Sequence, residues 1–157
     1  MRHRRTGPYL VQAAIAALHA RAATPADTDW RQINALYATL EQLTPSPVIT
    51  LNRAVAVSKA DGPEAALEMI APLEQRLSGY FNYFGVKGAL LLQLERKAEA
   101  REAFDRAIAL ANTAAEAAHI RQHLDRAGVR ERVCCVCLPP LFRFRPITSL
   151  IKNPARA

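Results

Sequence analysis

The chain has 157 residues, enough for one domain with a continuous core, and half of them are apolar, with aromatics held to 6%. Its formal charge of +7 would suit a nucleic-acid surface, but the excess sits at the two ends. Arg2, Arg4 and Arg5 open the chain, and residues 6 to 127 hold 12 basic and 13 acidic side chains, so the body of the chain is excluded as a surface that tracks phosphates.

The opening MRHRRTGPYL is basic and runs into the apolar YLVQAAIAALHA, as a secretory signal would. Gln12 and His19 interrupt that run and no clean small-residue cleavage site follows, so it reads as a helix. No stretch has the length of a membrane span. The three cysteines, Cys134, Cys135 and Cys137, stand too close together for a disulfide framework, and a reducing cytoplasm is the expected location.

The first helix is predicted from Pro8 to Arg21, with Leu10, Ala13, Ala14, Ala17 and Leu18 as its buried stripe. ATPADTD is a loop in which Asp27 or Thr28 caps a second helix, from about Asp29 to Leu43, with Trp30, Ile33, Leu36, Tyr37 and Leu40 on one side. TPSP is a sharp boundary: Ser46 as cap, Pro47 as first residue of a third helix to Lys59 that turns Leu51, Ala54, Val55 and Val57 inward. Asp61 and Gly62 turn the chain into a fourth helix opened by Pro63, bearing Ala66, Leu67, Ile70 and Leu73. A last helix, from about Thr113 to Arg126, sets Ala117, Ile120 and Leu124 against a charged back.

Between them lies the most patterned stretch, Phe81 to Asn112. With Phe81 as position one, Gly88, Ala100, Phe104 and Ala107 fall at eight, 20, 24 and 27 of a 34-residue tetratricopeptide repeat. That repeat is a helical hairpin whose small residues let the backbones approach while the aromatic fills the gap. Phe84 replaces the usual Trp, and Lys87 the usual Leu. The third and fourth helices match more loosely: with Pro47 at two, Ala54, Ala66 and Ile70 fall one residue off register. The fold expected is all-α, a right-handed stack of about seven antiparallel helices in a tetratricopeptide-like superhelix. It occupies 7–127, between a basic lead (1–6) and an irregular tail (128–157) where periodicity stops and Phe142, Phe144, Leu150 and Ile151 lack a partner pattern.

Chemistry is thinly represented. No CxxC pair or nearby His completes a zinc site around the cysteines, and His119 and His123, four apart, lack the Glu of HExxH. His19 is expected to act as a hydrogen-bonded anchor with Asp29 and Trp30 of the next helix, since no Ser or Cys nucleophile stands beside it. No glycine-rich phosphate cradle or carboxylate pair stands out, so no enzyme, cofactor or metal is expected. Asn52 and Arg53 in TLNRAVAV form a polar pair near an inward face, which suits either an inter-helix hydrogen bond or a ligand contact.

GPYLVQAAIAALHA, DTDW and LTPSPVITLNRAVAVSKADGPEAAL together resemble the C-terminal extension of a subgroup of extracytoplasmic-function RNA polymerase sigma factors. The likeness covers about residues 7 to 125. It rests on Gly7, Pro8, Tyr9, Gln12 to Ala16, His19, Asp27 to Trp30, Pro45 and Leu51 to Ala56. The resemblance implies a tetratricopeptide-like region that supports or regulates sigma activity through protein contacts in bacterial transcription initiation. The helices of sigma regions two and four are not found here, so a fragment or split partner without promoter recognition is expected. The text after about Ala127 leaves the family pattern, as a shifted reading frame would make it do. An adaptor unrelated to transcription is the alternative.

In stacked hairpins the first helix of each pair lines the concave face. Asn52 and Arg53 on the third helix, with Tyr83 and Lys87 on the fifth, are therefore the expected lining of a groove for a carboxylate-bearing protein segment, the sigma domains or the polymerase by the resemblance.

Overall fold

A computed structural model describes residues 7–128 of the chain. They form seven α-helices: α1 Pro8–Arg21, α2 Trp30–Leu43, α3 Pro47–Ala60, α4 Pro63–Ile70, α5 Phe81–Gln93, α6 Lys97–Leu110 and α7 Ala114–Gly128. No strand occurs among the described residues. Each helix packs on the next in chain order, and the α5–α6 hairpin is the most closely joined pair. The fold is an all-α helical stack. The aromatics and cysteines of the sequence beyond Gly128 lie outside the described residues.

The helices begin where local chemistry allows. Pro8, Pro47 and Pro63 stand in the first turns of α1, α3 and α4, where a missing N–H costs nothing and the fixed φ suits a helix. The cap of α2 is Asp29, whose carboxylate accepts the Gln32 amide at 2.9 Å, rather than the expected Asp27 or Thr28. Asp27 instead folds back on Thr24, taking its backbone amide at 3.1 Å and its hydroxyl at 2.7 Å, which closes the turn before α2. Ser46 holds the cap position of α3 without a side-chain bond. At α7, Thr113 and Glu116 make a reciprocal box: the Thr113 hydroxyl accepts the Glu116 amide at 3.2 Å and the Glu116 carboxylate accepts the Thr113 amide at 3.2 Å.

The core divides on either side of α3. Ile49 and Ala56 join Val11, Ile15, Ile33, Tyr37 and Leu40 in a cluster with α1 and α2. Leu51, Ala54 and Val57 join Ala66, Ile70, Tyr83, Phe84, Leu91, Phe104 and Ile120 in the larger cluster reaching α7. Buried apolar residues on two sides place α3 between the clusters. Ala54, Ala66 and Ile70 are each fully buried.

Two expectations are corrected. In α1 the buried residues are Val11 and Ile15, whereas Leu10, Ala13 and Ala17 are exposed. The helix is apolar around most of its circumference, so its spacing offers two faces of similar weight and periodicity does not choose between them. The fourth helix ends early: α4 stops at Ile70, and Ala71–Leu73 form a 3-10 turn. Pro72 explains this, because it has no N–H for the helical ladder. Leu73 and Leu77 stay buried in the turn-rich connector that follows.

Gly88, Ala100, Phe104 and Ala107 are all buried, and a β-carbon at Gly88 would lie 2.9 Å from three carbons of the Phe104 ring. The α5–α6 turn closes with the Glu95 amide on the Leu92 carbonyl (3.1 Å) and the Arg96 amide on the Leu91 carbonyl (3.0 Å). This double bond pattern ends a helix with one left-handed residue, here Glu95 at φ 58°.

Candidate functional site

Arg53 lies on the α3 ridge between Ile49 and Ala56, the side that meets α2. Its Nε donates to Asn34 Oδ1 at 2.8 Å and its Nη1 to Glu41 Oε2 at 2.7 Å. Asn34 and Glu41 are seven residues apart on α2, so they share a helix flank and a single guanidinium spans both. The Arg53 and Glu41 side chains are 28% and 21% exposed, and Glu41 Oε1 is buried with no hydrogen-bond partner. Of the two roles expected for this pair, Arg53 has the inter-helix one. Asn52 beside it is half-buried.

Lys87 on α5 pairs with Glu74 of the connector at 2.9 Å. Tyr83 is one turn earlier on the same helix, yet it is fully buried and lines no groove, which corrects the expectation for it. Its ring meets Phe84 edge-on, with centroids 5.1 Å apart, and its hydroxyl donates to the Ile70 carbonyl at the end of α4 at 3.4 Å. The reason is packing: α5 is held between α4 and α6, and the phenol satisfies a carbonyl at a helix terminus while its ring fills the core. Burial, with the Glu74 charge as a second cause, pushes the Tyr83 hydroxyl up to about 12. Arg53 is thus tied to α2, Lys87 to the connector, and Tyr83 to the interior, so the four residues do not form one polar lining.

The anchors behave differently from one another. His19 and Trp30 are in edge-to-face contact, centroids 5.4 Å apart at 70°. His19 is therefore anchored through its ring rather than through a hydrogen bond, and partial desolvation lowers its pKa. Asp29 is occupied as the α2 cap. The side chains of His119 and His123, and all three cysteines, lie outside the described residues. Among the described residues no group of three or more His, Cys, Asp or Glu could hold a metal ion, and no helix is long and apolar enough to cross a membrane.

Sequence reasoning missed Asn34 and Glu41. Their signal is present: polar residues seven apart bordering the stripe of Ile33, Tyr37 and Leu40. It also missed the outer side of α1, where Tyr9 and Leu10 are 62% and 60% exposed.

No protein-family profile matches the chain, and no solved structure does. A curated relative, an uncharacterized protein of Rhizobium meliloti (strain 1021), is 69% identical over 125 residues, which is 80% of this chain and 30% of the relative. The chain therefore spans less than a third of the length of the curated relative that it matches.

Proposed function

We propose that the helical stack is the C-terminal protein-interaction and regulatory region of a bacterial RNA polymerase sigma factor, built from tetratricopeptide-like hairpins and acting through protein contacts in the cytoplasm. The observation that carries this reading is the run of residues from Gly7 to Ala56 that resembles the sigma extension. Two further features support it. The near-neutral charge of residues 6 to 127 suits a protein partner better than a promoter, and the match to less than a third of a longer relative suits a region that works beside other domains.

Calorimetric titration of this chain with separately produced sigma regions two and four tests the reading. Saturable binding at micromolar concentrations is the expected result. Absence of binding, together with unchanged promoter-dependent transcription on adding the chain, would leave an adaptor outside transcription as the better description.

A further inference from the structure

The pairs α1–α2, α3–α4 and α5–α6 repeat one packing pattern on their second helices. Ile33, Tyr37 and Leu40 of α2 are buried at steps of four and three residues. Ala66 and Ile70 of α4, with Leu73 of the turn that ends it, are buried at the same steps. So are Ala100, Phe104 and Ala107 of α6. The residue after each triplet is therefore an equivalent position, and it is Glu41, Glu74 and Ile108 in turn. The helix that follows each triplet has an equivalent position of its own. Arg53, Lys87 and Ile120 are each the seventh residue of α3, α5 and α7.

The two positions meet across the seams. Arg53 pairs with Glu41 at 2.7 Å and Lys87 with Glu74 at 2.9 Å. At the third seam, between α6 and α7, both members change together: Ile120 is buried in the larger apolar cluster and Ile108 packs against it. In α3 and α5 a buried small residue, Ala54 or Gly88, stands directly after the cation. In α7 that place holds the exposed Arg121, so α7 shares the seam position but not the close approach. Ion pairs formed by chance on a surface have no counterpart one repeat further on, and many contribute nothing. Here acid faces base twice, isoleucine is matched by isoleucine once, and no seam sets a charge against an apolar side chain. A mismatch would be costly, because a seam carboxylate can have an oxygen out of reach of water, as Glu41 Oε1 has.

We propose that the residue after each triplet and the seventh residue of the next helix form a matched pair that fixes which helical pair closes on which. Two seams are closed by charge and the third by apolar contact. The pairing makes α1–α2 a full unit of the array, although the repeat spacing of the sequence begins only at α3, and it is independent of the sigma reading. Both charged seams lie toward the α1 end. Salt therefore loosens the stack from that side and leaves the α6–α7 seam closed.

Urea unfolding of this chain and its variants, at about 0.05 M and about 1 M salt, tests the matching. At the second seam, Glu74→Ile and Lys87→Ile are each expected to lower the midpoint. The double variant recreates the chemistry of the third seam and is expected to regain at least half of the larger loss. Both side chains are partly exposed, so these variants keep the fold. The coupling between Glu74 and Lys87 is expected to shrink at the higher salt. At the third seam, Ile108→Glu is expected to lower the midpoint more than Ile108→Ala. Ile108→Ala combined with Ile120→Ala is expected to lose less than the two single variants together, equally at both salts. Additive changes at either seam, a second-seam coupling indifferent to salt, or Ile108→Glu no worse than Ile108→Ala would each overturn the proposal. Titration with sigma regions has no bearing on these outcomes, so the two readings stand or fall separately.

Discussion

Gly88 and Phe104 fit together as an absence and its filling: the ring of Phe104 stands where the side chain of residue 88 would be, 2.9 Å from the place of a β-carbon. Real β-carbons do not approach so closely, and the ring is held in the core rather than at the free end of a flexible chain. Gly88→Ala should therefore lower stability by about 1–2 kcal/mol, although alanine favours helix over glycine by about 1 kcal/mol. Phe104→Ala should cost about 3–5 kcal/mol through the cavity it leaves. In the Phe104→Leu background, Gly88→Ala should turn neutral or stabilising. Urea unfolding of the parent, Gly88→Ala, Phe104→Leu and their double variant measures the coupling, and additive losses would show that the two residues do not share the site.

Arg53 offers a second test, with an asymmetric outcome. Removing the guanidinium leaves Asn34 and a half-buried Glu41 carboxylate without their partner, so Arg53→Ala should cost about 1–2 kcal/mol, more than an exposed arginine would. Glu41→Leu also removes the buried oxygen that has no partner and should cost less than half as much. Thermal melts at low and high salt distinguish the two. Equal losses would mean that packing of the stems, not the ion pair, holds the α2–α3 contact.

The pH dependence at the alkaline end follows from Tyr83. Its hydroxyl is neutral in the fold up to about 12, whereas an unfolded tyrosine loses its proton near 10. The contribution is thus fully present below pH 10 and is lost as pH rises from 10 to 12, by up to about 1.4 kcal/mol per pH unit. Burial raises the Tyr37 hydroxyl in the same direction. Tyr83→Phe should flatten part of the alkaline loss, seen as a smaller drop in urea midpoint between pH 9.5 and 11.

Glu95 predicts a gain. It holds a left-handed backbone at the α5–α6 turn, a geometry that glycine adopts without strain. Glu95→Gly should raise stability by about 0.5–1 kcal/mol, although it removes a contact of 3.7 Å between two exposed charges, Glu95 and Lys97. A lower melting temperature would indicate that the extra freedom of glycine in the unfolded chain outweighs the relief.

Much of the fold was legible because glycine, alanine and proline act locally. Pro8, Pro47 and Pro63 marked helix starts, and the spacing of Gly88, Ala100, Phe104 and Ala107 described a contact between two helices that α5 and α6 make. What failed were matters of direction. An all-round apolar helix does not announce its buried side, so the stripe expected for α1 lies a residue out of phase with the buried one. Tyr83 and Lys87 are one turn apart, and only the position of α4 against α5 decides which of them points inward. The partners of Arg53 come from a different helix, and single-helix periodicity carries no information about which flank of α2 will face it.

The shared membership of α3 in both apolar clusters has a bearing on how the molecule comes apart. An array of hairpins can lose its end units one at a time when each contact involves only neighbours of modest strength. Here the α1–α2 pair cannot leave without laying bare Ile49 and Ala56 on a helix whose other side still supports Leu51, Ala54 and Val57. Fraying at the α1 end is therefore opposed by the interior of the next unit, and a disturbance on one side of α3 is felt as a loss of order on the other.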